Sequence, residues 1–248
     1  AFWDELLRRH PGLWIDNCAS GGRRIDLETV SRSLPLWPSD FSDVCGLPTG
    51  LGLHVGDQCT NAGLARWVPL FGGGVWNFTP YGTRSQGAGG FTFGFHVDHA
   101  DLAKAEGDAP LGANDVLAAG KTLLHEDFPM DLARAAIAER KELLPLMRGD
   151  FHLLLPLTVA PHDWCAFQFH RGDLGAGCAF ILRRHRSPFE RMRVRLRGID
   201  PARRYDVSLS SGYEPAPAQR RAGADLADLA VEIAEAPGSL LLRYSLAP

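Results

Sequence analysis

From residue 151 to the end of the chain, short apolar runs recur about every 10 to 12 residues, and this rhythm restricts the fold more than any other feature. The runs cover 151–158, 164–170, 178–182, 192–197, 205–210, 227–233 and 239–244. Turn signals separate them, among them Arg171-Gly172-Asp173, Asp200-Pro201 and Ala236-Pro237-Gly238. Such spacing is that of an antiparallel β-sandwich. Upstream the texture changes. Gly-rich loops at 46–56, 72–74 and 87–94 alternate with helical patterns. The clearest helix is 131–147, with Leu132, Ala135, Ala136, Ile137, Leu143 and Leu144 at its apolar positions. The sequence therefore predicts α/β structure over 1–149 and a β-sandwich domain over 150–248, divided at Arg148-Gly149.

At 248 residues and 45% hydrophobic composition, the chain can bury one large core or two modest ones. A net charge of -3 lacks the basic footprint that nucleic acid demands. No apolar run approaches the roughly 20 residues of a membrane helix, so no membrane partner is expected either. Self-association stays open. The first residues, AFWDELLRRHPG, already carry helical periodicity with no initiator Met or signal pattern, and the expectation is a fragment beginning inside a helix of a longer protein. The five cysteines have no CxxC pair, which argues against a zinc site or a disulfide framework and leaves one pair such as Cys45 and Cys59 open. In 191–197 Arg alternates strictly with apolar residues. Arg191, Arg193, Arg195 and Arg197 then share one strand face, read as the solvated side of a half-buried strand in preference to an anion stripe.

The chemistry-bearing stretch is Trp14 to Asp43, WIDNCASGGRRIDLETVSRSLPLWPSDFSD. Trp14-Ile15 reads as a buried strand after the His10-Pro11-Gly12 turn. The small residues Cys18 to Gly22 form a turn through which backbone amides can approach a ligand. Arg23 to Leu27 leads into a helix with Leu27, Val30 and Leu34 on one side, and a second short strand, 34–37, ends at Ser39-Asp40. In a barrel of parallel strands, residues just past the strand C-termini line the active site, so Asp16, Asn17, Cys18 and Asp40 converge on one rim. A helix or turn cap is the competing reading of Asp40. No GxxxxGK[ST] or GxGxxG pattern is present, and Ser20 is not in a GxSxG elbow. Cys18 lacks an evident His partner for nucleophilic work. His96, Asp98 and His99 read as a loop closure in preference to a metal site, and no metal or cofactor is expected. Trp67, Trp76, Phe78 and Tyr81 read as packing in preference to sugar-stacking platforms.

The run Asn17-Cys18-Ala19-Ser20-Gly21-Gly22-Arg23, followed by Trp37-Pro38-Ser39-Asp40, resembles the paired motif of the α-galactosidase (melibiase) group, glycoside hydrolase family thirty-six. The resemblance continues through Leu64-Ala65-Arg66-Trp67-Val68-Pro69-Leu70 and into the C-terminal half. It implies the last βα units of a (β/α)8 TIM barrel over 1–149, followed by the β-sandwich. By this resemblance Asp40 is the general acid/base, Cys18 and Gly21 contact the sugar, and Asn17, Asp16 and Trp37 complete the substrate site. The chain departs from the family pattern at Pro38, which fills a variable position, and at Asp16, where many relatives carry Glu. The family's nucleophilic Asp stands on an earlier strand, before the Cys loop, so the fragment is expected to be inactive alone.

The implied reaction is retaining hydrolysis of terminal α-galactosidic bonds. Two carboxyl groups about 5 to 5.5 Å apart divide the work, one attacking the anomeric carbon and the other protonating the leaving oxygen. Asp40 takes the second part, which near neutral pH requires a raised pKa. Asp16 or Asp26 alternatively orients Arg23 or Arg24. Competing readings are a non-catalytic carbohydrate-binding protein, a related hydrolase of another α-glycoside such as an α-N-acetylgalactosaminide, and an unrelated hydrolase whose loops mimic the motif.

Overall fold

Helical periodicity at the start of the chain yields α1 (Phe2–Arg9), closed on its surface by Glu5 pairing with Arg8 and Arg9 at i,i+3 and i,i+4 spacing. The structure, a computed structural model, describes residues 2–18, 21–39, 53–68, 71–90, 92–93, 95–98 and 120–248. A single turn, α2 (Leu27–Val30), begins at Asp26, whose carboxylate accepts from Thr29 N at 2.9 Å. Leu27 is 78% exposed and Leu34 lies beyond this turn, so the expected apolar side of Leu27, Val30 and Leu34 is not formed. Next come α3 (Leu53–Leu64), β1 (Gly74–Val75) and α4 (Pro80–Ser85), the last capped by Thr79 with Pro80 in its first turn. The short strands β2 (Thr92–Phe93), β3 (Phe95–His96) and β4 (Lys121–Thr122) follow. A longer helix, α5 (Met130–Leu143), and a 3-10 turn (Leu146–Arg148) lead into the C-terminal strands.

Four segments of the N-terminal part lie side by side in chain order. Asp16 bridges Leu34 in parallel, Gly72 N donates to Pro35 O at 3.0 Å, and β1 pairs with β2 in parallel. Val97 N donates to Trp76 O at 2.7 Å beyond that pair. Instead of lying in a buried strand, Trp14 is 75% exposed, and among the described residues Asp16 is the position of this segment that bridges a neighbour. The expected second strand at 34–37 is likewise reduced to that one bridge.

The C-terminal strands are β5 (Asp150–Leu153), β6 (Trp164–Arg171), β7 (Ala176–Arg183), β8 (Arg191–Val194), β9 (Arg204–Ser210) and β10 (Gln219–Ala222). After the turn α6 (Gly223–Leu226) come β11 (Leu229–Glu232) and β12 (Gly238–Leu246). Six of them form one antiparallel sheet in the order β10-β9-β12-β7-β6-β5, while β8 and β11 pair separately. Alternation along the large sheet assigns each face its own core. Ala166, Ala179, Ile181, Val207 and Leu242 meet Val194, Leu229 and Val231 of the smaller sheet. On the other face Phe167, Phe169, Phe180, Leu182 and Leu241 meet Leu64, Val68, Phe71, Tyr81 and Leu143 of the N-terminal part. Burial on both faces is why β6 and β7 read as nearly unbroken apolar runs. The solvated face of β8 bears out its sequence reading for Arg191, which pairs with Glu232, and Arg193, which pairs with Asp228, but the strand ends at Val194, so Arg195 and Arg197 lie beyond it.

Three further points lie beyond the sequence reading. The helix predicted over 131–147 ends at Leu143, and its buried positions are Ala133, Ala136, Glu139 and Leu143, with Leu132 and Leu144 exposed. Glu139 is buried because Arg84 pairs with it at 2.7 Å, which no periodicity can show. Strand β10 was missed because QRRA has no apolar alternation; it is an edge strand held by backbone pairing to β9 and by Arg220 on Asp206. Cys59 is a free thiol donating to Thr158 O at 2.9 Å, so it forms no disulfide with Cys45, which lies outside the described residues.

Burial holds His96, His152, His170 and His185 below the ordinary imidazole pKa of 6.5. The folded state thus favours neutral rings, and the unfolded chain takes up protons first as pH falls through that value. Stability is complete above it and declines below it. The melting temperature is expected to drop between about pH 7.5 and about pH 5.5, before the paired carboxylates titrate. Thermal melts across that range check this, and a flat profile contradicts it.

Candidate functional site

The two motif loops emerge from neighbouring segments and touch. Asn17 N donates to Leu34 O at 2.8 Å and Leu34 N to Ile15 O at 2.9 Å, which sets Cys18 and the Trp37 segment beside each other. Asp16 adds a tie across the pair, its Oδ1 accepting from Leu36 N at 3.2 Å. Neither Asp16 nor Asp26 makes a hydrogen bond or ion pair with Arg23 or Arg24 among the described residues, contrary to one expectation; Asp26 caps α2 instead.

Asn17 is 2% exposed and clips the first loop shut, donating through Nδ2 to Arg24 O at 2.6 Å. Its Oδ1 is buried and accepts no hydrogen bond among the described residues. Inside the closed loop, Gly21 and Gly22 have φ of 66° and 88°, the left-handed region in which a side chain is strained. A Cβ on Gly22 would collide with the Pro38 carbonyl oxygen, so this glycine is the contact between the two motifs. Cys18 is exposed at the start of the loop, and Gly21 and Trp37 are half-buried. Asp40, the expected acid/base, lies outside the described residues, as do Ala19 and Ser20.

The next segment seats Trp37. A Cβ on Gly74 would strike the Trp37 ring, one on Gly72 the Leu36 carbonyl, and one on Gly73 the Gln86 side chain. Gln86 in turn donates to Gly74 O at 2.6 Å and accepts from Asn61 Nδ2. Sequence reading took 72–74 for a loop, whereas Gly74 opens β1 and the lack of side chains here admits its neighbours. The three consecutive glycines were the available signal. Trp76, Phe78 and Tyr81 are at most 5% exposed and pack in the interior, while Trp67 is 48% exposed.

At the end of the fourth segment, His96 Nδ1 accepts from Phe78 N at 3.2 Å, and Nε2 lies 3.4 Å from Asp98. Lys121, 2.8 Å from Asp98, holds that carboxyl below its usual range. This is the loop-closing arrangement; His99 lies outside the described residues. A group of three His, Cys, Asp or Glu side chains arranged to hold a metal does not occur among the described residues.

Gly22→Ala is expected to cost about 1–3 kcal/mol, since it strains the backbone and pushes the two loops apart. Urea unfolding measures the stability change.

No family model matches the chain, and no curated protein matches it. Solved structures do. One is a double variant of the GH36 alpha-galactosidase AgaA from Geobacillus stearothermophilus in complex with raffinose, at a TM-score of 0.65 and 17% identity. A second double variant of AgaA, in complex with stachyose, follows at 0.64 and 17%, and the GH36 alpha-galactosidase AgaB from the same organism at 0.61 and 18%. Each alignment covers 99% of this chain but only 30% of the other protein. The chain therefore shares its fold with a part of GH36 alpha-galactosidases, which is less than a third of their length.

Proposed function

We propose that this chain is the C-terminal part of a retaining glycoside hydrolase acting on terminal α-galactosidic bonds. Residues 1–149 supply the last βα units of a (β/α)8 barrel, and residues 150–248 supply the β-sandwich domain. The observation carrying this reading is the contact of Gly22 with the Pro38 carbonyl, which joins the two halves of the motif on neighbouring segments that bridge in parallel. Fold likeness to GH36 alpha-galactosidases supports it, as does the raffinose or stachyose bound by two of those structures.

On this reading Asp40 protonates the leaving oxygen and then deprotonates water, and the nucleophilic carboxylate stands on an earlier strand of the whole protein. Cys18, Gly21 and Asn17 grip sugar hydroxyls from the first loop. Trp37, seated on Gly74, forms a wall beside them, and Asp16 braces the strand pair. The test is hydrolysis of raffinose-type α-galactosides by the natural full-length protein, followed by NMR of the first-formed sugar. Release of α-galactose supports retention. Release of β-galactose overturns the mechanism, and galactoside binding without hydrolysis identifies a carbohydrate-binding protein.

A further inference from the structure

One guanidinium of the Arg191 to Arg197 stripe behaves differently from its neighbours. Arg191 and Arg193 pair with acidic residues and Arg195 donates to Ala227 O at 3.0 Å, but the Arg197 side chain makes no hydrogen bond or ion pair among the described residues. Its backbone, by contrast, is held firmly. The buried Gln168 side chain accepts from Arg197 N at 2.7 Å and donates to Arg197 O at 2.9 Å. Gln168 is also the cross-strand partner of His152, so the sheet brings Arg197 up to His152.

Arg66, in the turn after α3, approaches the same place and is likewise exposed and unpaired among the described residues. Arg66, His152 and Arg197 line a cleft of about 420 Å³ together with Phe151 and Leu153. This cleft runs along β5, the edge strand of the large sheet. Leu154 N donates to Ala166 O at 2.9 Å, and by the alternation of an antiparallel ladder the N–H and C=O groups of Phe151 and Leu153 point away from β6 to the free edge.

We propose that this cleft binds a small oxyanion, the chemistry shared by sulfate, phosphate and the carboxylate of an acidic sugar. Two forked guanidiniums and edge N–H donors match the acceptor geometry of such a group. His152 contributes a further donor. Asp150 and His170, on the neighbouring positions of β5 and β6, also face His152, and Asp150 is the only carboxylate among these groups. The two fixed positive charges outnumber it.

Calorimetric titration of the natural full-length protein with sulfate, inorganic phosphate and galacturonate, at about 10 mM ionic strength to limit screening, tests the site. One of the three is expected to bind saturably at one site, and which one identifies the source of the anion. Arg66→Gln with Arg197→Gln is expected to weaken binding about a hundred-fold, about ten-fold for each charge-assisted contact. Both side chains are exposed, so the variant retains its fold, which circular dichroism verifies. The His152 ring resonances are expected to shift with anion in the natural protein and to stay fixed in the variant. Absence of saturable binding by all three anions, or equal affinity in the natural protein and the variant, overturns the proposal.

Discussion

With Asp40 as the proposed acid/base, Asp40→Ala in the full-length protein is expected to lower kcat/KM for galactosides with poor leaving groups by about 10³-fold while sparing the first step with activated aryl galactosides. An alkoxide leaving group needs a proton in the transition state, and removing the donor leaves that charge uncompensated. A nitrophenolate departs without help, so its glycosyl-enzyme still forms. The second step then lacks its base, and the intermediate accumulates as a burst in stopped-flow traces. The alkaline limb of the pH profile disappears along with the acid. Equal loss on both substrate types removes Asp40 from the acid/base role and leaves the two loops as a sugar-binding rim alone.

The second large effect is on stability. Arg84→Met is expected to cost about 3–5 kcal/mol in urea unfolding, because it takes from the buried Glu139 its two-hydrogen-bond partner and leaves it only the Arg243 guanidinium at 3.8 Å. Arg84 is 1% exposed and links three parts of the chain. On α4 it holds Glu139 of α5 by two hydrogen bonds, at 3.0 and 2.7 Å, and it donates to the carbonyls of Ser210, Ser211 and Gly212 at the end of β9 and just beyond it. Coupling Arg84→Met with Glu139→Leu is expected to recover most of the loss, since the double change removes both charges from the interior. The carbonyls of 210–212 remain uncompensated and account for the remainder. A double variant no more stable than Arg84→Met shows that the carbonyl contacts, not the ion pair, dominate the site.

Legibility from sequence follows the physics of each element. The seven C-terminal runs announced themselves because strands with a buried face must repeat apolar residues. β10 did not, because an edge strand in water needs only backbone partners and charge. The paired motif was visible as residue types at a spacing, but contact between its loops depends on the missing side chain of Gly22 meeting Pro38. The role of Gly72 to Gly74 was misjudged for a similar reason. A glycine run in sequence does not tell a flexible turn from a strand stripped of side chains to admit Leu36, Trp37 and Gln86.

By itself the sequence determined the division of texture near residue 150, the alternation that builds the sheet cores, the solvated Arg face of β8 and the two loops that carry the proposed chemistry. These are local properties, readable because period and turn chemistry act over a few residues. The tertiary structure alone decided that both faces of the large sheet are buried, that Arg84 and Glu139 meet across 55 positions, and that Arg197 stands by His152 and Arg66 while its stripe neighbours are paired. Such pairings join residues distant in the chain, and the burial that makes Arg84–Glu139 strong and the lack, among the described residues, of a partner for Arg197 arise only once the layers have packed.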